Sequence, residues 1–137
     1  MDKVIGGQWA DGLLSGEFEQ GQSWLASAAI PDEGDEGQEL LWKHCCLGVL
    51  CEQAVRAGVV ESRVEQTSQG PVKFFYDPAT GRGDSMMLPV KVQEWAGLDS
   101  NDPEVNTNGE DTVSLSYCND TRGDDFTEIA GYVRQLY

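Results

Sequence analysis

The sequence predicts an α+β domain, and three observations carry that expectation. Residues Cys45-Cys46-Leu47-Gly48-Val49-Leu50-Cys51 are apolar all round when wound as a helix, and a helix of that kind is buried rather than amphipathic. Val72-Lys73-Phe74-Phe75-Tyr76 has the content of a strand. It runs into Asp77-Pro78-Ala79-Thr80-Gly81, where Asp, Pro and Gly each suit a turn position. Near the C-terminus, Asp125 and Glu128 stand at capping-box spacing, and Phe126, Ile129, Ala130, Val133 and Leu136 share one apolar stripe. At 137 residues the chain is long enough to bury a core without disulfides or metals. The expectation is therefore a single small domain over residues 1–137. A buried central helix packs on a small antiparallel β-sheet, and an amphipathic helix closes the chain.

Taken in order, the first element is a short helix around Gln8–Ser15, with Trp9 and Leu13 four apart and Gly16 at a left-handed cap. Between Glu17 and Ala29 neither period dominates, though Phe18, Trp24 and Leu25 are core candidates. An acidic, glycine-punctuated loop follows near 31–39. The central helix begins between Glu39 and Cys45 and runs to Ala57, with Gly58 as its cap. Gly48 inside it would cost about 1 kcal/mol relative to alanine, which close approach of another backbone would explain. A weaker strand at Val60–Gln66 precedes Val72–Tyr76, and Ser85–Leu88 is the expected return strand. Pro89 suits the first turn of a helix through Trp95, capped by Gly97. Residues 99–112 read as a second acidic loop.

The net charge is −15, from 24 acidic and 9 basic side chains. Residues 61–98 are nearly neutral, with 5 acids and 4 bases, so the excess lies on either side of them. That balance disfavours direct binding to nucleic acid or anionic membranes, where cations must meet phosphates. It favours either a solvated surface or a basic protein partner. No signal peptide or membrane span is visible, which points to the cytoplasm and to four reduced cysteines.

Four blocks carry a family resemblance. They are Leu14-Ser15-Gly16-Glu17-Phe18-Glu19-Gln20-Gly21, Cys45 to Cys51, Leu88-Pro89 with Trp95 to Leu98, and Leu115-Ser116-Tyr117-Cys118-Asn119-Asp120 leading into Phe126-Thr127-Glu128-Ile129-Ala130. The chain resembles a family of small uncharacterised proteins encoded by bacteriophages and bacterial genomes. It departs from that pattern in acidic insertions near 31–39 and 99–111. The resemblance carries over no catalytic residues. It implies a phage or prophage setting, the cytoplasm of a bacterial host, and an accessory role such as neutralising a component of host defence.

No motif announces an enzyme. His44, Cys45, Cys46, Cys51 and Cys118 are soft donors, but on a helix His44 and Cys51 lie about 10 Å apart along the axis and no C-x-x-C occurs. The sequence thus predicts no metal site and no cofactor, and it reads the thiols as small hydrophobes. His44 adjoins Cys45 and so faces away from it on a helix, and neither a phosphate-binding loop nor a nucleophile elbow is present. A hydrolase using paired carboxylates stays open, though 24 acids make any one pair uninformative. The residues 99–112 miss calcium-loop spacing, and both Arg-Gly-Asp triplets, at 82–84 and 122–124, read as turns.

Two binding functions remain. In the first, the acidic residues Asp32, Glu33, Asp35, Glu36, Asp99, Asp102, Glu110 and Asp111 dock a host protein with a basic surface. In the second, the near-neutral middle sequesters a nucleotide-type signal through Lys73, Phe75, Tyr76, Arg82 and Lys91. Strand alternation competes with that assignment, because alternate aromatics of residues 74–76 would face the core.

Overall fold

The computed structural model describes residues 1–29, 40–107 and 111–137, and it is α+β. Helix α1 (Lys3–Leu14) starts earlier than the sequence suggests. Asp2 caps it by accepting from the Ile5 amide at 2.9 Å, and Gly6, which weakens the helical signal, leaves room for the Tyr137 ring. Strands β1 (Glu19–Gln20), β2 (Ala26–Ala28) and β3 (Trp42–His44) lead into α2 (Cys46–Arg56). Next come β4 (Glu61–Thr67), β5 (Gly70–Tyr76), β6 (Gly83–Asp84) and α3 (Val90–Ala96). A second hairpin, β7 (Glu104–Thr107) with β8 (Asp111–Ser114), precedes α4 (Leu115–Tyr117). One turn of π-helix at Cys118–Arg122 then leads to α5 (Phe126–Val133).

The main sheet runs β1-β3-β2-β5-β4, with β6 also paired to β5. All of its pairs are antiparallel except β1 with β3, so the sheet is mixed and larger than the small antiparallel one expected. Helix α2 lies on one face, where its residues Cys46 to Cys51 and Ala54 are buried with Ala26, Phe75, Trp9 and Ile129. The indole of Trp9 donates to the Cys46 carbonyl at 2.9 Å, tying α1 to the first turn of α2. A Cβ at Gly48 would collide with the Leu25 carbonyl oxygen, which is the close backbone approach that the glycine requires. Helix α5 has the anticipated capping box at Asp125 and Glu128, and it buries Phe126, Ile129, Ala130 and Val133.

Two further expectations are corrected. Ser85–Leu88 is not a strand: pairing ends at Asp84, whose carboxylate accepts from the Met86 and Met87 amides at 2.8 and 3.2 Å and turns the chain away. Residues 99–112 are not all loop, because Glu104–Thr107 alternates exposed and buried and pairs with β8. The other expected acidic loop, 31–39, lies outside the described residues, as do residues 108–110.

Candidate functional site

The turn after β5 forms as its residue types require. The Asp77 carboxylate accepts from the Ala79 amide at 3.0 Å, its carbonyl accepts from the Gly81 amide at 2.7 Å, and Gly81 takes a φ of 74°. Asp77 and Arg82 then close the loop, backbone amide to carbonyl, at 2.8 Å. Across from this turn, Pro89 ends its extended segment and α3 begins. The Leu88 amide donates to the Asn101 carbonyl at 3.0 Å, and the Gln93 amide group donates to the Leu88 carbonyl at 2.9 Å.

Turn and helix enclose a cleft of about 360 Å³, floored by buried Leu88 and Pro89. That is within the size range of small-molecule sites. Arg82 and Lys91 line it, exposed, alongside the carboxylates of Asp77, Asp84 and Glu94. Among the described residues Arg82 and Lys91, like Lys3 and Arg134, have no acidic partner, whereas Lys43, Arg56, Arg63, Lys73 and Arg122 are all ion-paired. Backbone amides take one oxygen each of Asp77 and Asp84, which leaves Glu94 and the second oxygens of Asp77 and Asp84 to accept from a ligand. The set suits a molecule with an anionic group and amino donors.

The other predicted ligand contacts do not reach the cleft. Phe75 is fully buried in the core. Lys73 turns to α2, where its ammonium meets Glu52 at 2.9 Å and lies 5.0 Å from the Trp42 ring centroid. Tyr76 is on the opposite face of the sheet, stacked on Phe74, and its hydroxyl donates to Glu61 at 3.1 Å, which raises its phenol. Of the acidic set, Asp99 is exposed, whereas Asp102 accepts from the Ser116 amide and hydroxyl and so belongs to the fold. Asp32, Glu33, Asp35, Glu36 and Glu110 lie outside the described residues, and Asp111 is placed only as the first residue of β8.

A second cavity, about 440 Å³ and more open, is lined by Gln20, Lys43 and Asn119. Asn119 is buried and fully engaged. Its oxygen accepts from Gln20 at 2.9 Å and from the Cys46 amide at 3.2 Å, and its nitrogen donates to the Gly21 carbonyl and Asp120 at 2.8 Å each. Three of the four sequence blocks therefore meet at this one side chain, and they meet to hold the fold together. Lys43 at this cavity is paired with Glu19.

The third candidate is a buried cluster. His44 Nε2 and the Lys73 ammonium share one oxygen of Glu52, at 3.0 and 2.9 Å. Burial by itself would raise the Glu52 carboxyl, but the hydrogen bonds and charges of His44 and Lys73 outweigh it and hold the group below its ordinary value. Phe18 packs edge-on to His44. Neither of these two cavities is lined by His44, Glu52 or Lys73. The thiols are equally withdrawn: burial pushes Cys45 up to about 12, and Cys46 and Cys51 well above the ordinary thiol range. Such thiols are inert as nucleophiles at neutral pH. Among the described residues no three His, Cys, Asp or Glu side chains are grouped to hold a metal, and no helix is long and apolar enough to cross a membrane.

A family model described as a domain of unknown function, DUF8296, matches residues 1–137. The chain belongs to that family. No curated protein and no solved structure matches it. For this DUF8296 domain the cleft between the β5–β6 turn and α3 is the candidate site. Sequence reasoning named Arg82 and Lys91, which line this cleft, and did not name Asp77, Glu94 and Gln93, which line it beside them. The turn and the helix start were both readable, whereas their approach to each other has no local signal in the sequence.

Proposed function

We propose that this domain is a non-enzymatic binding protein that neutralises a host factor, and that the factor is a small anionic molecule of nucleotide type. The observation that supports this reading is the cleft, where two cations without acidic partners among the described residues face open space in a chain of net charge −15. Arg82 and Lys91 would take a phosphate, and Glu94 and Asp77 would accept from amino groups of a base. The phage or prophage setting implied by the sequence resemblance fits sequestration of a signal in a bacterial cytoplasm.

The test is a thermal-shift and native mass-spectrometry screen of mono-, di- and cyclic nucleotides, with inorganic phosphate beside them. A ligand at a hundredfold excess over its Kd adds about 2.7 kcal/mol, roughly 8 °C in Tm for a chain of this size. R82E and K91E, both on the surface, are expected to abolish the shift while leaving the unliganded Tm in place. No shift with any nucleotide, or equal shifts in the two variants, refutes the site. Ligand recovered intact supports capture, and ligand recovered as product would instead assign a carboxylate hydrolase.

Capture of a host protein is the second reading, and net charge is what favours it. Pull-down from host lysate at low and high salt separates the two, since docking through acidic residues weakens steeply as salt screens it.

A further inference from the structure

β4 is a seven-residue strand at the end of the main sheet, and among the described residues it pairs with β5 alone. Its other edge carries backbone donors and acceptors that no strand among the described residues meets. Natural edges are commonly blunted by charge. Here the charges alternate along one face: Glu61, Arg63 and Glu65, with Ser62, Val64 and Gln66 on the other. Arg63 is held on that first face by the rings of Phe74 and Tyr76, 4.6 and 5.3 Å from their centroids, and stands 3.8 Å from Glu65. On the other face Val64 is half exposed.

We propose that β4 pairs antiparallel with β4 of a second copy of this chain, about a two-fold axis at Val64. The occupant follows from charge and register. Opposed residues in an antiparallel pair share one hydrogen-bonding phase, so a symmetric pair must be centred on a residue. Centring on Val64 overlaps the whole strand and sets Arg63 opposite Glu65 of the second copy, twice by symmetry, with the two Val64 side chains in contact. Centring on Arg63 opposes two arginines and sets Glu61 against Glu65. Centring on Glu65 opposes two glutamates. Centring on Ser62 or Gln66 overlaps only residues 61–63 or 65–67. One register alone is both long and complementary. The strand also lies in the near-neutral segment 61–98, where two acidic chains approach at least electrostatic cost. The pair joins two sheets into one.

Sedimentation and native mass spectrometry at physiological salt, up to roughly millimolar protein, are expected to show a dimer. R63E and E65R each oppose like charges in this register and are expected to be monomers. Mixed together they restore both cross-strand pairs and are expected to form the heterodimer, a result that misfolding or lost stacking cannot produce. V64C is expected to form a disulfide-linked dimer on mild oxidation, because the four native thiols are buried, while S62C, opposite Gln66, does not. A wild-type monomer throughout, single variants that dimerise like wild type, a mixture that stays monomeric, or cross-linking by S62C in place of V64C would each overturn the proposal.

Discussion

Glu52 shows how one side chain can stabilise the fold by ending the isolation of two others. It sits on α2 with most of its surface covered, and its single oxygen holds both His44 and Lys73. Removing it leaves a largely covered ammonium without its counter-charge. Glu52→Gln is therefore expected to cost about 2–3 kcal/mol, less than for a fully buried pair because Lys73 keeps some contact with water. The pH dependence has a definite sign. Because the folded carboxyl is held below its unfolded value, its contribution is complete above the ordinary carboxylate range and is lost as pH falls through the lower folded value. Urea unfolding of wild type and Glu52→Gln should show a gap that is widest near neutrality and closes in acid. A gap independent of pH would mean that packing, not the charge, is what Glu52 supplies. Nothing in the local sequence marks this group, because its partners His44 and Lys73 come to it from β3 and β5. Asn119 is hidden in the same way, a polar residue beside Asp120 whose partners lie about a hundred positions away, at Gln20 and Gly21.

Elements whose signals are local were legible, and those made by distant pairing were not. The capping box of α5, the glycine caps at Gly58 and Gly97, and the apolar run of α2 each reside in a few consecutive residues, so they could be read directly. Strands β1, β2 and β3 have two or three residues each and exist because they meet one another across the region that includes the acidic insertion. No periodicity fits in so short a span. The cleft has the same character: its two walls were readable, and their separation was not. Gly48 is the intermediate case, a helix-breaking residue whose oddity predicted a neighbour without naming it. On helix propensity alone, Gly48→Ala should stabilise α2 by about 1 kcal/mol. The Leu25 carbonyl stands where the methyl would go, so the expected outcome is the reverse, a loss of about 2–3 kcal/mol from forced separation of α2 and the β2 lead-in. Chemical denaturation gives the sign directly. A stabilised variant would show that the backbone at Leu25 can yield without loss.

For the whole molecule the governing quantity is charge. Nine cationic side chains cannot neutralise 24 acids, and the difference of 15 negative charges is carried by a chain of 137 residues. Two opposing effects respond to added salt. Screening weakens the surface ion pairs, Glu17 with Arg56 and Glu19 with Lys43 among them, but exposed pairs contribute only about 0–1 kcal/mol each. Screening also relieves repulsion among the excess acids, which acts throughout the molecule and grows with the square of the net charge. Glu52 and its partners are largely covered and respond least. Relief of repulsion should therefore win, and Tm should rise as sodium chloride is raised from about 10 mM to 150 mM, where the screening length falls from roughly 30 to 8 Å. Potassium chloride should act alike, because screening does not distinguish the two cations. A Tm that falls with salt would place the balance with the ion pairs. A response to one cation and not the other would mean that the acidic surface holds that ion in particular.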